Sequence, residues 1–508
     1  MNRPRFIGAA VVALAFFVLY CRTLAPDVLG HDSGDWQAAG ATLGISHSPG
    51  SPAYTIIAWI FTQIVPFGTM AARVNLVSAV VGAIGVGAVF ILVMMLFGRW
   101  LPAIVAAVTL GMGGQWWAHA SVATPYNSVP TIIAFLLIML LLWHRHGNVR
   151  LVWGGALLFG FGLAYHPTLL YFTPMLIAGV FVLGPWRQAI KLKSIALTFA
   201  ALLLGLSIYA YLPIRSAMNP PVRYSEISSL SQLYKFVTVS EARNSGTFAT
   251  SLPGQEELSD RLTEAVRQSY YPSFAFLVFG PAVTLMYPAV LKRLRPNRRF
   301  LIYLLVGAFA HMTIIFIISG IYVQYYLPVL LYFSIWAGLS MFLVMNAAEI
   351  YLGGTRYKTV PLIAVCFIYA STLLLGLPTI WPYANHHSDT GMRDFSDWVF
   401  SQAKEGAVVL ANWDSYPGLN YVQVVDGMRQ DLAIRPSTPE NWRTDVYYAR
   451  LQFPISDIYL ARSLPFIDRM GAHEVGPQYA ISIKGRTHQD LNHGKPDPAS
   501  VELFFAET

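Results

Sequence analysis

The sequence predicts a mainly helical membrane protein that ends in a small α/β domain. Of the 508 residues, 55% are hydrophobic and only 12% are charged, which is far from the composition of a soluble domain. Apolar runs long enough to cross a bilayer recur through the first 380 residues. After residue 380 the charge rises, the apolar runs shorten and turn residues recur. These observations together define the fold class.

About eleven apolar runs are predicted to form membrane helices. We divide the chain into a transmembrane module, residues 1–380, with outer loops at 22–73 and 213–271, and an extracytoplasmic α/β domain, residues 381–508. The first run follows two arginines, as in a signal peptide, but no small-residue cleavage pattern follows it, so we expect a retained first helix. The runs are at approximately residues 6–21, 74–98, 101–117, 128–143, 151–166, 168–184, 192–212, 272–291, 300–319, 327–346 and 359–380.

Basic residues cluster in the short loops on one side of the predicted membrane. With the N-terminus in the cytoplasm, every cluster lies on the cytoplasmic side, which is the positive-inside pattern. This distribution accounts for the net charge of +8 without a nucleic-acid partner, and it predicts that both outer loops and the C-terminal domain are extracytoplasmic. The clusters are Arg3/Arg5, Arg99, Arg145/Arg150, Arg187/Lys191/Lys193, Lys292/Arg293/Arg295/Arg298/Arg299 and Arg356/Lys358.

The two outer segments carry shorter predicted elements. In the C-terminal domain, residues 407–411 are typical of a buried strand, residues 431–434 of a second strand, and residues 416–425 of a short helix. In the loop 213–271, residues 228–239 and 255–269 are predicted to form helices at the membrane surface.

The loop between the first two membrane helices concentrates ionisable residues. Asp32 and Asp35 are three residues apart, so on a helix they share one face and can point at one site. Two carboxylates in a partly dehydrated pocket suit general base catalysis, because one of them can stay ionised and accept a proton from a hydroxyl. Alternatively, the acids only cap a helix or interact favourably with its dipole. The pair lacks further oxygen ligands, so no metal site is predicted.

Other polar residues at the outer ends of the predicted helices are candidates for substrate binding. His47 lies in a turn rich in Pro and Gly, where it either lines the pocket of the acids or only stabilises the turn. Arg215 has a planar guanidinium that suits phosphate, although arginine also snorkels to lipid headgroups. Trp116 and Trp117 fit an interfacial aromatic belt. The remaining candidates are His31, His119, Tyr126, Asn127, His166, Gln324 and Tyr325, and for His119 and His166 a hydrogen-bonded core position is an equal alternative.

Several common sites are missing from the sequence. It has no phosphate-binding P-loop, no Rossmann fingerprint, no HExxH and no GxSxG. Its two cysteines, Cys21 and Cys366, lie in or beside apolar runs, which excludes a disulfide framework and a cysteine-based metal site. We therefore expect no direct use of ATP or of a nucleotide cofactor, and a substrate that is delivered within the membrane.

Four stretches near the N-terminus keep the order and spacing of a known family: TLAP (23–26), HDSGD (31–35), LGISHSPGSP (43–52) and RVNLVSA (73–79). They resemble the opening signature of the transmembrane protein 260 family of O-mannosyltransferases, which is glycosyltransferase family 117 of the GT-C superfamily. Further stretches look similar to that family: GLAYHPT (162–168), YLPIRSA (211–217), QYYLP (324–328) and, weakly, NWDSYP (412–417) with YVQ (421–423).

Three positions depart from the family pattern. The family usually has Glu at the position of Asp35, a second Pro at that of Ser48 and a bulkier residue at that of Ser51. The Asp35 change keeps the carboxylate but shortens its reach, which leaves open which acid is the base. The other two changes could alter the floor of the pocket and hence the sugar that is accepted.

The resemblance implies an inverting GT-C glycosyltransferase that moves mannose or another hexose from a polyprenyl-phosphate donor to a hydroxyl. By analogy the acceptor is a Ser or Thr of an exported protein, with a glycan or lipid acceptor as the alternative. Asp32 is our first choice for the base, with Asp35 supporting or replacing it. Arg215, together with His47 or His166, would stabilise the lipid phosphate. No cofactor and no metal are predicted, and we expect a bacterial plasma membrane.

Two other function classes share some of these features. A lipid-glycan flippase or transporter also has many helices and intramembrane ionisable groups, but it is favoured by inverted repeats with broken helices, which we do not find. A catalytically dead scaffold is favoured if the acids are exposed and behave as ordinary surface carboxylates.

Overall fold

The computed structural model describes residues 3–240, 297–318, 323–357, 359–438, 441–461, 473–474 and 481–483. Apolar helices make up most of this part. Seven of the described helices are long and apolar enough to cross a membrane, and shorter apolar helices pack between them. The helices before the C-terminal domain are α1 (Arg3–Arg22), α2 (His31–Thr42), α3 (Pro52–Ile64), α4 (Met70–Phe97), α5 (Trp100–Gly111), α6 (Gly114–Ala120), α7 (Ser128–His146), α8 (Arg150–Tyr165), α9 (Thr173–Leu183), α10 (Trp186–Ala189), α11 (Leu192–Leu206), α12 (Tyr211–Ala217), α13 (Leu230–Val237), α14 (Arg298–Ile318), α15 (Leu327–Leu352) and α16 (Val360–Ala384).

The membrane helices follow the predicted apolar runs closely. Each run except 272–291, which lies outside the described residues, has a helical counterpart. The surface helix predicted at 228–239 is α13, whose N-terminus has a capping box between Ser229 and Gln232. The helix predicted at 255–269 lies outside the described residues. The fold class is therefore confirmed as a helical membrane bundle.

The run 101–117 differs from the prediction, since it forms two helices rather than one. α5 ends at Gly111, where the ring of Phe16 from α1 occupies the space that a side chain would need. A second glycine, Gly113, precedes α6. The helix interruption buries Trp116 and Trp117, and the Trp117 indole donates to the Thr23 hydroxyl at 2.9 Å. The interfacial belt predicted for these two residues is wrong, because both rings lie inside the bundle.

Arg99 and Arg145, from two of the predicted basic clusters, contact the ends of other helices in the bundle. Arg99, between α4 and α5, forms a two-pronged ion pair with Glu349 near the end of α15, with N–O distances of 2.5 and 2.9 Å. Arg145 at the end of α7 donates to the Asn297 side chain at 3.0 Å. The basic ends of these helices therefore lie together.

The C-terminal domain is built on a mixed sheet. Its elements are α17 (Gly391–Gln402), β1 (Val408–Ala411), α18 (Tyr416–Val424), β2 (Ala433–Pro436), α19 (Trp442–Gln452), β3 (Ile458–Leu460), β4 (His473–Glu474) and β5 (Ile481–Ile483). The described strands have the order β2-β1-β3-β5-β4. β1 is parallel to both of its neighbours, whereas β5 is antiparallel to β3 and β4.

The second predicted strand begins two residues later than expected. Asp431 is not part of β2, because its carboxylate binds Arg429 at 2.9 and 2.8 Å and accepts from the main-chain N–H of Gly406. Pairing with β1 begins only at Ala433, opposite Val408.

The C-terminal domain and the first outer loop share one apolar core. Val409 of β1 and Leu419 of α18 are fully buried in the same cluster as Ala38 and Ala39 of α2. An ion pair also joins the C-terminal domain to this loop, since the Arg393 guanidinium binds the Asp27 carboxylate at 3.0 and 2.8 Å. The sheet is thereby held directly against the loop that carries the predicted acids.

Candidate active site

The two predicted acids lie on α2, which starts at His31. The N-cap is Gly30, with no side-chain cap hydrogen bond, so neither acid serves as the cap. Asp32 lies in the first turn, where the positive end of the helix dipole favours its negative charge. The acids are therefore available for contacts with other elements.

Glycine allows α2 to approach the C-terminal domain closely. A Cβ at Gly30 would clash with the main-chain oxygen of Asp414, and a Cβ at Gly34 would clash with the Leu29 carbonyl and press on the start of α18. A buried network fixes the other side of the helix. The Gln37 amide donates to the Asn75 side chain at 2.8 Å, and Gln37 accepts from the Leu29 N–H at 2.9 Å.

Asp35 is hydrogen-bonded to His47. One carboxylate oxygen of Asp35 accepts from the His47 main-chain N–H at 2.7 Å and lies 2.7 Å from His47 Nδ1. The Asp35 side chain is only 9% exposed, and that of His47 is 16% exposed. Asp35 thus fixes both the backbone and the ring of His47.

The electrostatics of His47 follow from its two acidic neighbours. Burial by itself would lower the pKa of His47, but the charge of Asp32, the hydrogen bond to Asp35 and the charge of Asp35 together raise the pKa above its ordinary value. With Nδ1 held by Asp35, the other ring nitrogen, Nε2, faces Asp32 Oδ2 at 3.8 Å. The imidazole therefore separates the two carboxylates.

Asp32 is the more accessible acid, with 35% of its side chain exposed. Its Oδ1 accepts from the Trp413 indole N–H at 2.7 Å, and its Oδ2 accepts from the Tyr126 hydroxyl at 3.3 Å. Trp413 belongs to the C-terminal domain and Tyr126 to the membrane bundle. The Asp32 carboxylate therefore lies where the two parts of the chain meet.

Tyr126 connects the acids to the outer helix ends. Its ring contacts four other aromatic side chains at centroid distances of 5.2 to 5.9 Å. These belong to Trp36, His119, His166 and Tyr325. Three predicted candidates from separate segments, His119, His166 and Tyr325, thus pack around the ring of a fourth, Tyr126.

His119 is in its neutral form in this cluster. Burial lowers its pKa to about 4, with nearby His386 acting in the same direction and Asp32 in the opposite one. At neutral pH this side chain therefore donates or accepts hydrogen bonds without contributing positive charge.

A small cavity adjoins Tyr126, and an apolar groove continues from it. The cavity is lined by Tyr126, Gln324 and Tyr325 together with Tyr171 and His311. Tyr171 and His311 also line a groove of about 400 Å³ between α9 and α14, whose other walls are almost entirely apolar. The groove and the acids are thereby linked through one line of contacts.

Three predicted site residues make their contacts elsewhere. The Arg215 guanidinium donates to the carbonyls of Leu43, at 2.7 Å, and Thr42, at 3.3 Å, at the end of α2. His31 is largely exposed and faces Asp414 at 3.2 Å. Asn127 is buried and donates to the Trp116 carbonyl at 3.0 Å. Their predicted binding roles remain predictions.

Sequence reasoning missed three site residues. Trp413 was part of the weakest motif, and Trp36 follows Asp35 directly but carries no ionisable group. His311 lies inside α14 and its Nδ1 is 2.8 Å from the Tyr332 hydroxyl. An ionisable residue in a membrane helix is a signal that could have identified it.

Metal ligands do not gather in the described part of the chain. No group of three or more His, Cys, Asp or Glu side chains there could hold a metal ion. His47 lies between the two acids, 2.7 Å from Asp35 and 3.8 Å from Asp32.

Comparison with solved structures agrees with this architecture. The fold is similar to that of ArnT from Cupriavidus metallidurans bound to undecaprenyl phosphate, with a TM-score of 0.59, 11% identity and coverage of 96% of this chain and 99% of that chain. The apo state of ArnT from the same organism has a TM-score of 0.57 and 12% identity, with coverage of 93% of this chain and 96% of that chain. At such low identity the likeness establishes the fold alone, a multi-pass membrane bundle.

Sequence comparison addresses the family. The chain is 28% identical over 224 residues to protein O-mannosyl-transferase TMEM260 of Mus musculus, covering 42% of this chain and 31% of the mouse protein. It is 30% identical over 80 residues to the Dictyostelium discoideum protein of that name, covering 15% and 10%. The alignments thus span less than a third of either relative. Residues 32–190 match the family model for the protein O-mannosyl-transferase TMEM260 N-terminal domain. The predicted resemblance to the transmembrane protein 260 family is therefore confirmed, and the matched segment contains both acids of the cluster.

Proposed function

We propose that the protein is an inverting glycosyltransferase that moves a hexose from a polyprenyl-phosphate donor to a hydroxyl acceptor on the extracytoplasmic side of a membrane. The observation that carries this proposal is the geometry of Asp32. Its carboxylate contacts Tyr126, which lines a small cavity, and hydrogen bonds from Trp413 and Tyr126 hold it in place from both sides. A fixed carboxylate at a cavity is suited to taking a proton from an attacking hydroxyl.

Asp32 is the base in this proposal, and Asp35 supports it indirectly. The single Asp35 oxygen that contacts His47 already accepts two hydrogen bonds, and the side chain is nearly buried. Asp32 is nearly four times as exposed, at 35% against 9%. An acceptor hydroxyl therefore reaches Asp32 more readily than Asp35.

The donor enters from the membrane. The groove between α9 and α14 is open towards the lipid side, where Ile302 and Val306 are 52% and 63% exposed. An isoprenoid chain in this groove would end at His311 and Tyr171, where the cavity begins. The similarity to an enzyme solved with undecaprenyl phosphate supports a donor of this class.

The phosphate lies on the side of Tyr126 away from the acids. Asp32 and Asp35 repel an anion, and His47, the basic side chain between them, is already paired with both. Gln324 and Tyr325 line the cavity beyond Tyr126 and offer neutral donors, with His166 packed against Tyr325. The reaction needs no divalent metal, because a monophosphate leaving group can be stabilised by such donors.

The acceptor is a Ser or Thr hydroxyl of an exported protein. The names of the relatives, which are protein O-mannosyl-transferases, support this acceptor and mannose as the sugar. We place the enzyme in a bacterial plasma membrane with its N-terminus in the cytoplasm. The basic loops at one end of the bundle and the acids at the other support this orientation.

The test is glycosyl transfer by the purified full chain in detergent, with a panel of polyprenyl-phosphate sugars and Ser/Thr peptides or glycans as acceptors. Asp32→Asn is expected to bind donor and to lose transfer, whereas Glu226→Gln, an exposed acid of the outer region, is the matched control and keeps it. The product should have the inverted anomeric configuration. Donor binding with no transfer to any acceptor, or no donor binding at all, would contradict the proposal, and the latter would favour a transporter.

A further inference from the structure

The loop that follows β1 reaches the acids of the membrane module. β1 lies between β2 and β3 and is parallel to both, so the loop starts at the carboxyl end of the central parallel strand. In open α/β sheets this edge is where ligands bind, because loops from adjacent strands diverge there. Here the edge faces α2, and the loop carries Trp413 towards Asp32.

Contacts of Trp413 and of the residues that follow it fix the position of this loop. The main-chain N–H of His31 donates to the Asp414 carbonyl at 3.2 Å, and the side chains of the same two residues are 3.2 Å apart. Gly30 and Gly34 leave no room for side chains between α2 and the loop. The Trp413 ring lies 5.4 Å from His47 and 5.9 Å from Tyr224, in both cases edge to face.

The indole of Trp413 can only donate a hydrogen bond to Asp32. An indole N–H is a donor and never an acceptor, so the bond to Oδ1 at 2.7 Å requires an unprotonated oxygen there. The proton from an acceptor hydroxyl must then go to Oδ2, the oxygen next to Tyr126 and His47.

We propose that Trp413 is a positioning residue for the base, so that the C-terminal domain completes the catalytic centre of the membrane module. This inference rests on the proposed function. In the reaction, the acceptor oxygen forms a bond to C1 of the sugar while the C1–O bond to the phosphate breaks. The electron pair of that bond leaves with the polyprenyl phosphate, and the hydroxyl proton is transferred to Asp32 Oδ2. Trp413 holds Oδ1 throughout.

The first test is Trp413→Phe, which keeps an aromatic ring against His47 and Tyr224 but removes the donor. Loss of this hydrogen bond to a charged group should lower kcat by about 10- to 100-fold and leave the KM for the sugar donor unchanged. Trp398→Phe, a half-buried tryptophan of the same domain, is the matched control.

Two kinetic outcomes overturn the proposal. One is a Trp413→Phe enzyme with the turnover of the wild type. The other is a loss of turnover that comes with a lower unfolding temperature and a raised KM for the donor, since a merely structural role would give that result.

The second test does not depend on activity. In a ¹⁵N spectrum of the tryptophan indole groups, the signal that disappears in Trp413→Phe identifies the Trp413 N–H. This signal should move in Asp32→Asn more than in Asp35→Asn. A signal that stays in place in Asp32→Asn overturns the inference. If the signal moves as expected but the protein transfers sugar from none of the polyprenyl-phosphate donors, the proposed function is wrong instead.

Discussion

The substitution Asp35→Asn distinguishes the two acids most sharply. In the wild type, one buried oxygen of Asp35 accepts two hydrogen bonds from His47, both at 2.7 Å. An asparagine oxygen can still accept one of them but carries no charge. Hydrogen bonds to charged groups contribute about 1.5–3 kcal/mol each, and breaking a buried ion pair costs about 3–5 kcal/mol. We therefore expect the free energy of unfolding to fall by about 2–4 kcal/mol.

The effect of Asp35→Asn on stability should depend on pH. The pKa of His47 is raised above its ordinary value of 6.5, so its pairing contributes fully below about pH 6.5 and is lost as the pH rises through the higher value of the folded state. The difference in unfolding temperature between wild type and Asp35→Asn should be largest below pH 6.5 and should shrink at higher pH. A difference that grows with pH would refute this assignment of charge.

Turnover separates the roles of the acids. Asp35→Asn loosens His47 and should lower kcat by about 10- to 100-fold, whereas removal of the base in Asp32→Asn should cost about 100- to 10,000-fold. A double-mutant cycle of Asp35→Asn with His47→Asn should show coupling, because the two residues act as one unit. If Asp35→Asn abolishes transfer while it still binds donor, and Asp32→Asn remains active, then Asp35 is the base and our reasoning is wrong.

Three further outcomes are expected. Asp27→Asn breaks the two-pronged ion pair with Arg393. Limited proteolysis should therefore release the C-terminal domain faster than in the exposed control Asp394→Asn, and equal rates would show that the pair does not hold the domain. Arg215→Gln removes the donors to the carbonyls at the end of α2 and should lower stability in thermal unfolding by about 1–3 kcal/mol; unchanged stability with weaker donor binding would instead support the predicted phosphate contact. Treatment with EDTA should leave transfer unchanged, and a loss that a divalent cation restores would contradict metal independence.

Local sequence was sufficient for much of the architecture. A run of about 20 apolar residues has one stable form in a bilayer, which is a helix that satisfies its own backbone. The same locality explains why Asp32 and Asp35 could be placed on one face, since a separation of three residues on a helix brings side chains together wherever the helix lies. The turn at His47 was close enough in sequence to be included with them.

Only the tertiary structure determined the partner and the role of each of these residues. Asp35 is occupied by His47, and Asp32 receives its indole donor from Trp413, 381 residues later in the chain. Arg215, which by type suits phosphate, instead donates to main-chain carbonyls at the end of α2. No local pattern encodes such pairings, because the partner of a polar side chain depends on which surfaces the apolar core brings into contact.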